Sequence, residues 1–186
     1  LNRDGWMDLV FVNQIHNYGH TLDAYIYWGG PGFSHSRRTE LPTFFAQGLD
    51  VADLDNNGYL DLIFANRGDY EWEPRFGPRD NRESFVYWGG AAGFSPEQRL
   101  SITTHNALDV AAGDFNGDGS TDLAFINAPP DQASYLFVYY GRSGQFPLED
   151  RITLTQERAL DLRTLDLEGD EPVELFLALE GKRSLV

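Results

Sequence analysis

The sequence predicts an all-β chain of repeated four-stranded antiparallel sheets, and three observations carry that prediction. An acidic nine-residue loop recurs along the chain, and each copy runs straight into a short apolar strand. Between copies stand an aromatic strand and a glycine-rich turn that ends in phenylalanine. No segment keeps an apolar period of about 3.6 residues, the mark of an amphipathic helix.

The best-preserved loop is Asp114-Phe-Asn-Gly-Asp-Gly-Ser-Thr-Asp122, followed by Leu123-Ala-Phe-Ile126. Asp53-Leu-Asp-Asn-Asn-Gly-Tyr-Leu-Asp61 leads into Leu62-Ile-Phe-Ala65 in the same way. Asn2-Arg-Asp-Gly-Trp-Met-Asp8 leads into Leu9-Val-Phe-Val12, and its first loop position would precede Leu1. Asp166-Leu-Glu-Gly-Asp-Glu-Pro-Val-Glu174 leads into Leu175-Phe-Leu-Ala178 and departs furthest from the pattern. The ninth positions, Asp8, Asp61, Asp122 and Glu174, fall about 50–60 residues apart, a spacing that marks a repeat architecture.

Within each unit the elements follow in order. A first strand carries Leu49-Asp-Val51, Leu108-Asp-Val110 or Leu160-Asp-Leu162, and the acidic loop comes next. The second strand is apolar at successive positions, as expected when both faces of a sheet are buried. The third is aromatic: Tyr25-Ile-Tyr-Trp28, Phe85-Val-Tyr-Trp88, Leu136-Phe-Val-Tyr-Tyr140. Turns ending in Phe33, Phe94 and Phe146 lead to a weaker fourth strand near Arg99–Thr103 and Arg151–Thr155. Four short strands per unit point to β-propeller blades, each needing neighbours to bury its faces. The blades fall at approximately 1–43, which lacks its first strand, 44–103, 104–155 and 156–186, which is incomplete. The chain therefore reads as a propeller fragment, with the remaining blades expected from flanking sequence.

Composition narrows the function. A net charge of −15 argues against nucleic acid, whose phosphates require Lys and Arg. Much of that charge sits in the four loops, where acid at ligand spacing suggests bound cations. The absence of cysteine excludes disulfides and thiolate zinc sites, and no apolar run approaches the roughly 20 residues of a membrane span.

The loop chemistry fits Ca²⁺, which takes six to eight oxygens at about 2.3–2.6 Å. Alternate loop positions offer the side chains of Asp114, Asn116, Asp118 and Asp122, with the Ser120 carbonyl between them. The second loop offers Asp53, Asp55, Asn57 and Asp61 with the Tyr59 carbonyl. The first offers Asn2, Asp4 and Asp8 with the Trp6 carbonyl. Asp166, Glu168, Asp170 and Glu174 form a weaker fourth set, because Glu171 replaces the turn glycine and Pro172 follows. An EF-hand would need Glu at position 12, where this chain has Phe64, Phe125 and Leu177. The competing reading is that Asp and Asn simply make good turns.

The run Ala112-Gly-Asp-Phe-Asn-Gly-Asp-Gly-Ser-Thr-Asp-Leu123, with the Gly-Phe turns, resembles the FG-GAP/VCBS repeats, the blades of the integrin α-subunit-type β-propeller. That resemblance covers essentially the whole chain. It implies Ca²⁺ in the loops between first and second strands, a secreted or cell-surface location, and a role in adhesion, recognition or scaffolding. It does not name the ligand.

The connection Arg67–Glu83 is about twice as long as Ala128–Ser134 and is expected at the end of the blade opposite the calcium loop. It carries Tyr70, Trp72, Arg75, Phe76 and Arg79, residue types enriched in binding hot spots. It is the candidate surface for a protein or carbohydrate ligand, against the alternative that its aromatics pack over a neighbouring blade. Arg67-Gly-Asp69 spells an integrin-recognition tripeptide, which three residues are too few to support. Trp28, Trp88 and Tyr140 recur in register, which favours packing over a carbohydrate platform. The four histidines show no metal spacing. The expected function is thus a calcium-stabilised recognition or scaffolding module rather than an enzyme. The alternatives are a calcium-dependent propeller lectin and part of a propeller enzyme such as a polysaccharide lyase.

Overall fold

A computed structural model of the chain describes residues 1–13, 23–67, 83–129, 132–155, 158–167, 169 and 172–180. The described residues form an all-β fold of four antiparallel sheets. The first sheet contains β1 (Leu9–Phe11), β2 (Ala24–Tyr27) and β3 (Arg38–Leu41). The second contains β4 (Ala46–Ala52), β5 (Asp61–Asn66), β6 (Glu83–Tyr87) and β7 (Arg99–Thr103). The third contains β8 (Ala107–Gly113), β9 (Asp122–Asn127), β10 (Tyr135–Tyr139) and β11 (Ile152–Thr155). The last pairs β12 (Ala159–Leu165) with β13 (Glu174–Leu179). Strands consecutive in sequence are neighbours in every sheet, the meander of propeller blades.

The core lies between sheets, and strand pleating decides which neighbour each residue meets. On β5, Leu62 and Phe64 join Ala24, Ile26 and Leu41 of the first sheet. Their neighbours Ile63 and Ala65 turn the other way and meet Phe125, Phe137 and Tyr139 of the third. On β9, Leu123 and Phe125 face the second sheet, while Ala124 and Ile126 face Ala159 and Leu162 of the fourth. Successive side chains of a strand point to opposite faces, and both faces are covered. Hence all six residues of β5, and all six of β9, are buried.

Polar contacts join the same sheets. Asp50 Oδ2 accepts the Ala112 N–H at 2.8 Å, and Asp109 Oδ2 accepts the Leu162 N–H at 2.9 Å. The aspartate of the Leu-Asp-Val motif thus holds the first strand of the following sheet. Arg163 lies against Asp109 at 3.2 Å and Asp161 at 2.8 Å. Burial, then the neighbouring Asp161, pushes the Asp109 carboxyl up to about 6. The Tyr87 hydroxyl donates to the Pro42 carbonyl at 2.5 Å, and Tyr139 makes the corresponding bond to Thr103. Arg38, Arg99 and Arg151 lie over Tyr25, Phe85 and Phe137 at 4.2, 4.1 and 3.7 Å.

The aromatic strand ends pack between sheets. Trp28 stacks on Phe94 of the next sheet with centroids 6.2 Å apart, and its indole N–H donates to Thr39 Oγ1 at 2.9 Å. Asn66 and Asn127 are buried and accept the Phe44 and His105 backbone N–H groups. They tie down chain entering their own sheet rather than line a polar surface. Among the described residues no helix is long and apolar enough to cross a membrane.

Candidate metal centres

Three of the acidic loops join β4 to β5, β8 to β9 and β12 to β13, while the first leads into β1; in the first three loops the shape requires two left-handed residues. Positions 4 and 6 hold φ values of 62° and 84° at Arg3 and Gly5, 58° and 86° at Asn56 and Gly58, and 73° and 81° at Gly117 and Gly119. Glycine and asparagine adopt this region most cheaply. Gly169, at position 4 of the fourth loop, has φ 77°.

With the loop curled this way, its own amides converge on position 1. Asp53 accepts the N–H groups of Asn57 at 3.0 Å and Gly58 at 2.8 Å. Asp114 accepts those of Gly117 and Gly119, both at 2.7 Å, and of Asp118 at 3.2 Å. Position 5 caps position 7: Asp4 accepts from Trp6 at 2.9 Å, Asn57 from Tyr59 at 2.7 Å and Asp118 from Ser120 at 2.8 Å. The amide bond from Trp6 lowers the Asp4 carboxyl below its usual range, and that from Ser120 does the same for Asp118. Position 3 bonds within the loop as well, Asn2 to Asp4, Asn116 to Asp118 and Asp55 to Asn57.

Position 9 has a further role that sequence reasoning missed. Asp61 is fully buried and accepts the Leu54 N–H at 2.8 Å and the Gly89 N–H at 2.7 Å. Asp122 repeats this with Phe115 at 2.9 Å and Gly141 at 2.8 Å. Asp8 bonds Gly29 at 2.8 Å and the Leu1 amino group at 2.7 Å, and Glu174 bonds Leu167 at 3.1 Å. The ninth residue closes its loop onto position 2 and, in the first three units, ties it to the end of the aromatic strand. The glycines there are sterically required. A Cβ at Gly29, Gly89 or Gly141 would lie 2.2, 2.2 or 2.0 Å from the carbonyl oxygen of Met7, Leu60 or Thr121. The recurrence of glycine directly after Trp28, Trp88 and Tyr140 was the available signal.

In the second loop the acids converge as a hard cation would need. Carboxylate oxygens of Asp53, Asp55 and Asp61 lie within 4.8 Å of one another. Burial raises the Asp61 carboxyl to about 6, with the charges of Asp55 and Asp53 adding to the rise, an arrangement a positive ion would relieve. Asp53, Asp55, Asn57, Asp61 and the Tyr59 carbonyl would hold it, and the ion would neutralise the repulsion among the acids. Asp114, Asp118 and Asp122 do not form such a three-acid group among the described residues; in the third loop the middle carboxylate stands at position 5 and position 3 is Asn116. Burial raises the Asp122 carboxyl too. Of the fourth loop, Asp166 and Glu174 are described and make the amide bonds of positions 1 and 9; Glu168 and Asp170 lie outside the described residues. So do Tyr70, Trp72, Arg75, Phe76 and Arg79, the candidate ligand-binding residues.

The sheets and loops together define a class, a β-propeller arc of acidic-loop blades. Residues 1–64 match the FG-GAP-like repeat family, and parts of the chain are similar to integrin α subunits. Integrin alpha-3 of Mus musculus is 26% identical over 113 residues, 57% of this chain and 10% of that protein. Integrin alpha-3 of Cricetulus griseus is likewise 26% identical over 113 residues, with the same shares. Integrin alpha-7 of Homo sapiens is 33% identical over 109 residues, 55% of this chain and 9% of that protein. The chain thus spans about a tenth of the length of the curated relatives it matches.

Proposed function

We propose that this chain is a calcium-stabilised propeller module for recognition or scaffolding, carried on a secreted or cell-surface protein and without catalytic activity of its own. The observation that carries the calcium reading is the convergence of Asp53, Asp55 and Asp61 within 4.8 Å. Similarity to integrin α chains supports protein recognition ahead of the lectin and lyase readings. The half-buried Trp28, covered by Phe94 of the next sheet, offers no repeated sugar platform.

Calcium is expected to raise the melting temperature and EDTA to lower it, measured by calorimetry. The pH dependence should reverse with the metal. In EDTA, Asp61 and Asp109 titrate near 6 when folded, above the ordinary 3.8. Protonation then favours the folded state, so stability rises as pH falls from 7 through 6 towards 4. The calcium-dependent increment shrinks over the same window, because protons displace the ion from its carboxylates. A melting temperature indifferent to both calcium and EDTA at pH 7 would refute the calcium reading.

The ligand is expected at the long connection. Replacing Trp72 and Arg75 together by alanine should remove binding hits on glycan and extracellular-protein arrays while leaving the melting temperature unchanged. Retained hits would move the recognition surface elsewhere.

A further inference from the structure

The fourth loop is the least able of the four to hold a metal by its sequence, yet it packs directly on the third. The Val173 N–H donates to the Asp114 backbone carbonyl at 3.1 Å. The Val173 side chain is pressed so closely on Gly113 that an added Cβ there would lie 2.7 Å from Cγ2. Pro172 lies over Gly117, 3.7 Å from where a Cβ would stand. Gly113 and Gly117 flank Asp114, the position-1 residue whose carboxylate gathers the amides of Gly117, Asp118 and Gly119.

The geometry points to a positioning role for the fourth loop: Val173 and Pro172 hold Asp114 and the first turn of the third loop in the conformation that binds calcium. This rests on the calcium reading of the third loop. The second loop has different supports, Arg3 over Tyr59 at 5.2 Å and Gly144 against Asp55, and so serves as an internal control. Pro172, a departure from the metal pattern at position 7, supplies part of the surface that bears on its neighbour. A proline fixes its own φ near −65°, so the contact with Gly117 comes from a backbone with little freedom to withdraw.

The test is hydrogen-exchange mass spectrometry of the 186-residue chain over a calcium titration, which reads each loop separately. Val173→Pro removes the N–H, and Val173→Ala keeps it but trims the contact with Gly113. In the proline variant the calcium midpoint for protection of residues 114–120 is expected to rise about tenfold, as loss of one preorganising hydrogen bond implies. The alanine variant should show a smaller rise of about threefold, and it keeps the test available if proline prevents folding. The midpoint for residues 53–59 should stay fixed in both. Midpoints for 114–120 that do not move, or that move together with those for 53–59, overturn the positioning role. Absence of calcium-dependent protection at both loops in the unsubstituted chain overturns the calcium reading itself, and the positioning role with it.

Discussion

Asp61→Ala is expected to destabilise the chain by about 3 kcal/mol or more in EDTA, where no metal can contribute. The carboxylate is buried and accepts the N–H groups of Leu54 and Gly89. Removing it strands two backbone donors, each at a cost of about 1–3 kcal/mol. It also separates the acidic loop from the aromatic strand. Asn is not a rescue, because its amide nitrogen would face one of those donors. Asp55→Ala is the comparison. Asp55 is exposed and, among the described residues, its hydrogen bonds run to Asn57 within the loop, so EDTA-state stability should change little while the calcium-dependent increment falls. Urea denaturation with and without calcium separates the two roles. Equal behaviour of the two variants in EDTA would mean that position 9 is a ligand and nothing more.

Gly89→Ala is expected to cost about 2–3 kcal/mol, the upper range for forcing extra atoms into a packed site. The added Cβ would stand 2.2 Å from the Leu60 carbonyl oxygen and 3.0 Å from its carbon. Backbone atoms cannot rotate aside as a side-chain tip can, so β5 and the end of β6 must part. The bond from Gly89 to Asp61 weakens with them. Gly90→Ala, one residue on, meets nothing within 4 Å and should lie within about 0.5 kcal/mol of the parent. The neighbouring pair in one denaturation series is decisive. Similar midpoints for both would show that the close approach is not sustained in solution.

The fold class was legible because the repeat is dense in local signals. Gly58 and Gly119 mark the loop turn, and the unbroken apolar runs Leu62–Ala65 and Leu123–Ile126 anticipate strands with two covered faces. What the sequence concealed are contacts whose partner is backbone from a distant segment. Nothing in Leu49-Asp50-Val51 announces that Asp50 will receive the Ala112 N–H. Asp61 reads as one more oxygen ligand, because hydrogen bonds to Leu54 and Gly89 leave no trace in residue identity. Ranking the loops by motif placed Asp114–Asp122 first. A described three-acid convergence stands at Asp53, Asp55 and Asp61, where position 3 carries a carboxylate and position 5 an amide. The two left-handed positions explain why asparagine or glycine stands at position 4 of the second, third and fourth loops.

The alternation along β5 and β9 decides where a chain of this kind can change in length. Inserting one residue within either strand would send Phe64 or Phe125 towards the wrong neighbour and exchange every contact beyond it. The unequal spacing of the repeats must therefore be absorbed outside the second strands. The connections leaving Asn66 and Asn127 already differ about twofold in length, while the strands that precede them both have six residues. Lineages of such a protein should diversify by lengthening and rewriting those connections, with the rest of each blade held to a fixed count.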